Sequence, residues 1–306
     1  MNFDVLVYIE RIIIAIMTSK LVFLYTLLGL AAHALPENNL LETRRYCGFQ
    51  HSDDYTRNDD STSLDEFPWI GQLLYNKDNT LKCVGSLINR RYVLTSAHCL
   101  LPPTLQFNIT GVRFGDYDVT TNQDCVNYTN FGEECSDPTQ QFGIEELIPH
   151  PEYNSRTFQK DIGLIRLSRA VTYTDYIRPI CLPKSKGSEP QSGTQFVSSG
   201  WGDERHSIKH TTIKKRILTK LISLEECHRS LGNSASFITH DHLCVTDERG
   251  SFTGATDSGA PLMRSVKNQW EQVGVHSFRK LGGSDSPVIY GKVTSYLDWI
   301  TENVRA

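Results

Sequence analysis

The chain carries no marked excess of charge of either sign. Its 306 residues include 31 Lys and Arg against 35 Asp and Glu, a formal net charge of -4. A nucleic-acid footprint needs a basic stripe. Here the run Lys214-Lys215-Arg216 reads as a solvated edge, and no nucleic-acid partner is expected. No two cysteines stand in CxxC spacing, which speaks against a zinc clip. No internal repeat or low-complexity tract is visible, so a solenoid is excluded. The apolar run 21–31 is short for a membrane span, and no stable span is expected.

What is present points outside the cell. The eight cysteines (Cys47, Cys83, Cys99, Cys125, Cys135, Cys181, Cys227, Cys244) are even in number and suit oxidised pairs in a secreted protein. Lys20, the apolar run 21–31 and Ala32-His33-Ala34 form a basic flank, an apolar core and a small-x-small cleavage site. That pattern predicts a signal peptide over 1–34 and a secreted, extracellular protein. A second apolar run, 12–17, follows Glu10 and Arg11. It leaves two further readings open, a signal anchor or a start at Met17.

Residues 35–66 are polar and acidic and read as a propeptide-like lead-in. From Phe67 the character changes to short apolar runs separated by turn residues, at 67–75, 84–88, 91–94, 111–114, 162–167, 196–199, 270–275 and 287–290. Such spacing predicts an all-β barrel or sandwich. Residues 296–304 predict a C-terminal helix and 223–231 a short one. Asn108-Ile109-Thr110 and Asn127-Tyr128-Thr129 are glycosylation acceptors in polar, loop-like sequence.

The chemistry gathers around Thr256-Asp257-Ser258-Gly259-Ala260-Pro261-Leu262. A serine between an acid and a glycine suits a hydroxyl held on a tight turn. A serine hydroxyl is a weak nucleophile alone, and needs a base and an oxyanion site. His98, beside Cys99 and after the strand-like 91–94, suits a rigidly placed general base. Asp161, at the mouth of the apolar run 162–167, suits an acid that orients it. Taken singly, each has an ordinary reading: a turn serine, a core or surface histidine, a strand-start acid.

The order His98, Asp161, Ser258 and their local sequences resemble the chymotrypsin-fold (trypsin-like) serine proteases over residues 67–303. Phe67-Pro68-Trp69, Arg178-Pro179-Ile180-Cys181-Leu182-Pro183, Gly200-Trp201-Gly202, Ser277-Phe278, Tyr290 and Asp298-Trp299-Ile300 match in order. The resemblance implies two packed antiparallel six-stranded β-barrels, the active site between them, a C-terminal helix, and a protease domain over 67–306. It implies Ser258 as nucleophile, His98 as general acid/base and Asp161 as the group that holds the imidazole. Backbone N–H groups of Thr256 and Ser258 would form the oxyanion hole, and Asp257 would receive a new N-terminal amine after activation. Phe252, Ser277, Arg279 and Val288 fall at the specificity pocket, with Ser277 also supporting Asp161. No cofactor is required, although related proteases bind calcium in the loop that here contains Asp116.

A narrower similarity is to arthropod clip-domain proteases, through Asp124-Cys125, Cys135-Ser136-Asp137-Pro138 and residues 142–151. It implies the pairs Cys83–Cys99, Cys227–Cys244, Cys125–Cys135 and Cys47–Cys181, the last tethering the lead-in. It also implies a protein substrate or cascade protease as partner. A clip module needs six cysteines ahead of the protease domain, and only Cys47 stands there.

The chain departs from that pattern in five ways. The expected apolar activation start is replaced by Tyr55-Thr56-Arg57-Asn58-Asp59-Asp60. Thr256 replaces the oxyanion-hole glycine, and Ala260 replaces the second glycine after the serine. Phe252 stands where trypsin-like enzymes carry an acid, with Arg279 and Val288 in place of pocket-wall glycines. The pocket disulfide is gone, with Gly254 and Gly282-Gly283 in its place. Two functions are therefore expected: a secreted serine endopeptidase, or a non-catalytic relative that binds a protease or its substrate and regulates a cascade.

Overall fold

The structure is a computed structural model that describes residues 40–50, 60–76, 83–101, 108–128, 132–184, 190–202, 211–247, 257–279 and 286–306. The expected signal peptide, Arg57, Phe252, Gly254, Thr256, Gly282 and Gly283 lie outside the described residues. The architecture is all-β, as expected. The first sheet comprises β1 (Ile70–Tyr75), β2 (Val84–Leu87), β3 (Tyr92–Thr95), β4 (Ile109–Phe114), β7 (Gln140–Phe142), β8 (Ile144–Pro149) and β9 (Gly163–Leu167). The second comprises β10 (Gln195–Gly200), β11 (Lys215–Leu221), β12 (His242–Asp247), β13 (Pro261–Val266), β14 (Gln269–Arg279) and β15 (Val288–Lys292). β5 (Cys125–Tyr128) and β6 (Gly132–Cys135) form a separate hairpin.

The second sheet is a closed six-stranded barrel in the order β10-β11-β12-β15-β14-β13. The first has seven strands rather than six, in the order β7-β4-β1-β2-β3-β9-β8. Its end strands β7 and β8 are halves of one run broken at Gly143, whose carbonyl accepts from Ser168 N at 2.9 Å instead of joining the ladder. The break lets one stretch of chain pair with β4 at one end and β9 at the other, so the sheet almost closes.

Burial explains the strand sequences. β2, β3 and β9 are buried along their whole length and therefore read as continuous runs instead of alternating ones. Helix α1 (Ala97–Leu100) follows β3 and was not expected, because four residues carry no helical periodicity. Helix α2 (Leu224–Leu231) is capped by Ser223, whose side chain accepts from Glu226 N at 3.1 Å, with Glu225 and Glu226 in its first turn. Helix α3 (Leu297–Asn303) closes the chain and buries Ile300. Among the described residues no helix is long and apolar enough to cross a membrane.

All four implied disulfides form. Cys47–Cys181 closes a sequence separation of 134 and straps the lead-in to the barrels. Gly48 fits beneath it with φ +74°, where an added Cβ would lie 2.4 Å from Trp270 O, so glycine is required there. Arg44 ion-pairs with Glu271 on β14.

A second stretch of lead-in corrects the reading of Lys214-Lys215-Arg216. Lys214 and Arg216 are buried, not solvated. Ser61 bridges to Lys215, Arg216 N donates to Asp60 O at 3.0 Å, and Thr62 Oγ1 donates to Lys214 O at 2.7 Å. The Arg216 guanidinium pairs with Glu66 at 3.1 Å, both side chains at most 4% exposed. Burial pushes the Lys214 ammonium down to about 8, against the opposing pull of Glu66, Asp116, Asp65 and Asp124. Acids far from the basic run in sequence cover it.

Removing one partner of a buried ion pair strands the other charge and costs about 3–5 kcal/mol. Glu66→Leu is expected to lower unfolding stability by that amount in urea titration, with the Glu66→Leu/Arg216→Met double variant recovering most of it. Replacing Cys47 and Cys181 by Ser is expected to cost roughly 2–4 kcal/mol, read by the same titration.

Candidate active site

The first sheet supplies a histidine and an acid. β3 ends at Thr95, and the single turn α1 follows, pinned by Cys83–Cys99 and by Leu100 packed onto Gly163. An added Cβ on Gly163 would lie 2.5 Å from Leu100 Cδ1. His98 is thereby held at the end of a rigid strand. Asp161 sits in the tight turn before β9, where Ile162 N donates to Lys160 O at 2.9 Å. It is only 3% exposed.

Three donors meet that buried carboxylate. His98 N donates to Oδ1 at 2.9 Å, and His98 Nδ1 lies 2.8 Å from Oδ2. The Ser277 hydroxyl, from β14 of the second barrel, also donates to Oδ2. A carboxylate facing Nδ1 requires the proton there, which leaves Nε2 with its lone pair. Nε2 lies 3.7 Å from Cys99 Sγ. The Phe158 ring packs edge-on against the imidazole, with centroids 5.9 Å apart. Cys83 and Cys99 also surround His98, but both are in a disulfide and offer no thiolate to a metal.

Ser258 lies across the seam, on the second barrel. Val84 N, on β2, donates to Ser258 O at 2.9 Å, so the serine's backbone is docked on the first sheet. Gly259 turns the chain with φ +83°, and an added Cβ would lie 2.2 Å from both Val84 O and Thr95 Oγ1. No side chain fits at that approach. Ala260 N donates to Asp257 O at 2.8 Å and completes the turn. The Asp257 carboxylate is buried against Gly200, where an added Cβ would lie 2.1 Å from its Oδ1. Among the described residues no hydrogen bond joins the Ser258 hydroxyl to His98. The three side chains expected to act together are thus gathered at one seam, with the acid–histidine half closed and the histidine–serine half open.

Of the expected pocket residues, Ser277 is occupied with Asp161, while Arg279 and Val288 face each other across β14 and β15. Phe252 and Thr256 lie outside the described residues. Sequence reasoning passed over His276, next to Ser277. Its peptide brackets the serine turn: Gly259 N donates to His276 O at 2.9 Å, and His276 N donates to Ala260 O at 2.8 Å. Its ring is 2% exposed and packs edge-on against Tyr290, with centroids 5.3 Å apart. Neither ring nitrogen has a hydrogen-bond partner. Burial, with the nearby His98, pushes its pKa down to about 3, so the ring is neutral at pH 7. The signal was present as one imidazole directly after the apolar Val273-Gly274-Val275 of β14.

Asp116, the expected calcium residue, is buried with Arg113 as its ion-pair partner and accepts from Gln72 Nε2 at 3.0 Å. Its neighbour Asp124 accepts from Tyr117 N at 2.8 Å and Asp118 N at 3.2 Å. The sequon residues Asn108 and Asn127 are both exposed.

The trypsin family's sequence model matches residues 57–300. Phenoloxidase-activating factor 1 of Holotrichia diomphalia is 35% identical over 269 residues, covering 85% of this chain and 72% of that protein. Serine protease 7 of Drosophila melanogaster is 38% identical over 280 residues, covering 87% and 69%. Among solved structures, the Drosophila Grass clip serine protease of the Toll pathway shares the fold with a TM-score of 0.71 and 24% identity, covering 86% of this chain and 76% of that one. A family match over most of the chain, with relatives above a third identity across both lengths, shows that this chain belongs to the trypsin family of serine proteases.

Proposed function

We propose that the chain is a secreted serine endopeptidase that acts by acyl-enzyme chemistry in an extracellular proteolytic cascade. The observation that carries this reading is the Asp161 carboxylate holding His98 by Nδ1, with Ser258 docked across the seam. In the proposed reaction, His98 Nε2 takes the Ser258 proton as Oγ attacks the scissile carbonyl. The imidazolium, stabilised by Asp161, then returns the proton to the leaving amine. Water hydrolyses the acyl-enzyme by the same relay. Backbone N–H groups of Thr256 and Ser258 are the proposed oxyanion donors. Four disulfides support an oxidising compartment and secretion after removal of residues 1–34, and exposed Asn108 and Asn127 support glycosylation. The names of the relatives, a phenoloxidase-activating factor and a Toll-pathway protease, motivate the cascade role.

One observation favours a second reading, a non-catalytic homologue that binds a cascade protease or its substrate. Thr256 stands where the family carries the oxyanion-hole glycine, and a β-branched residue resists the backbone conformation that glycine allows there.

A serine-directed fluorophosphonate separates the two readings. Labelling of purified protein, before or after limited proteolysis, that disappears in Ser258→Ala establishes the endopeptidase reading. No labelling in either state, with Ser258 intact, overturns the endopeptidase reading. In an active enzyme, Ser277→Ala removes one donor to a buried carboxylate, worth roughly 1.5–3 kcal/mol. The expected result is a fall in kcat of about tenfold or more with KM nearly unchanged, measured by steady-state peptide hydrolysis.

A further inference from the structure

We propose that the Cys125–Cys135 disulfide is a thiol-exchange site, where a small thiol attaches covalently as a mixed disulfide, favoured when it carries an amine and disfavoured when it carries a carboxylate. The exchange is independent of Ser258 reactivity.

Burial separates this bridge from the other three. Cys47, Cys181, Cys83, Cys99, Cys227 and Cys244 are each at most 5% exposed, whereas Cys125 and Cys135 are both exposed. Exchange needs a thiolate to reach a sulfur, so access selects this bridge. The bridge also lies outside both large sheets. Among the described residues β5 and β6 pair only with each other, in the register Cys125↔Cys135, Val126↔Glu134, Asn127↔Glu133 and Tyr128↔Gly132. An isolated two-stranded hairpin is marginally stable in water, so the covalent link at the base of this ladder is its main support. One residue further out on each strand the chain is anchored separately. Asp124 and Ser136 are buried, Ser136 N donates to Asp124 O at 2.8 Å, and Asp124 N donates to Ser136 Oγ at 3.1 Å. Opening the bridge therefore loosens the hairpin and leaves its base pinned.

Charge then selects the thiol. Glu133 and Cys135 are two apart on β6 and share a face with their partners Asn127 and Cys125 on β5. A carboxylate oxygen of Glu133 lies within 4.8 Å of both sulfurs. That negative charge repels an incoming thiolate, least when the thiolate carries a compensating ammonium and most when it carries a second negative charge. Asn127, a glycosylation acceptor, occupies the same face two residues from Cys125, which favours a small thiol over a protein one. In the exchange, the thiolate sulfur bonds to one cystine sulfur as the Cys125–Cys135 S–S bond breaks. The displaced cysteine leaves as a thiolate and takes a proton from water. One disulfide replaces another, so this step consumes no oxidant or reductant. A second thiolate attacking the mixed disulfide releases the small disulfide and leaves both cysteines reduced, the two small thiols being the reductant.

The test uses the full chain with its disulfides formed. The folded protein is incubated at neutral pH with cysteamine, 2-mercaptoethanol or 3-mercaptopropionate, quenched with N-ethylmaleimide, and mapped by peptide mass spectrometry. The expected result is that thiol and maleimide adducts at Cys125 and Cys135 accumulate about tenfold or more faster than at any other cysteine. Glu133→Gln, at an exposed position and expected to fold, reads the charge selection, and comparison with the wild type cancels the intrinsic reactivities of the thiols. In that variant the rate with 3-mercaptopropionate rises about fivefold relative to the rate with cysteamine at low ionic strength. The difference between the two proteins disappears in roughly 1 M salt, where the screening length falls to about 3 Å. Adducts that form first at another pair, adducts that form only after unfolding, undiminished adduct formation in the Cys125→Ser/Cys135→Ser double variant, or the same ratio of rates in wild type and Glu133→Gln overturns the proposal.

Discussion

The buried carboxylate of Asp161 is the constraint on which the site depends. An ionised group at 3% exposure is tolerated only when donors surround it. Those donors come from both sides of the seam: the backbone and ring of His98 from the first sheet, and the Ser277 hydroxyl from the second barrel. Separating the sheets would expose a carboxylate stripped of one donor and a serine stripped of its acceptor. The contact that orients the histidine is therefore also one that holds the sheets together. Val84 N to Ser258 O, and the close approach of Gly259 to Thr95, add the second contact line across the same seam.

The lead-in uses two different physical devices to hold the same body. At Cys47 the tether is covalent, and Gly48 allows the chain to pass within contact distance of Trp270. At 60–66 it is electrostatic: Glu66 meets Arg216 in a nearly dry site, and a buried Lys214 sits among acids contributed by both lead-in and loop. Paired buried charges of this kind are unforgiving of single changes, because each removal leaves a charge without its partner. A lead-in that looks unstructured by composition is in these stretches part of the folded body.

Around Ser258 the chain keeps the backbone turn that presents the hydroxyl while changing the side chains next to it. Gly259 is held by sterics, and Ala260 fits because its methyl is buried without displacing its hydrogen bond to Asp257. His276 is the conspicuous departure, a buried polar ring between Val275 and Ser277 with neither nitrogen partnered. Its neutral form is maintained by burial and by the neighbouring histidine. Polar groups left unmatched inside a well-packed body ordinarily carry a cost with no structural return.

The sequence by itself marked β1–β4, β9, β10, β14, β15 and the two longer helices, and named the groups of the site; β5–β8, β11–β13 and the single turn α1 carried no comparable signal. Short apolar runs between turn residues foretold strands, residues 223–231 foretold a short helix, and the identities of His98, Asp161 and Ser258 stated which groups could exchange a proton. These signals are local, carried by residue type and spacing over a few positions. Tertiary structure alone decided that Asp161 finds Nδ1 of His98, that Gly143 splits one strand into two, and that Lys214 and Arg216 are buried by Glu66. Each of these depends on groups that pair across 60 or more residues or across neighbouring strands, and neither burial nor facing is defined until the register that joins them exists.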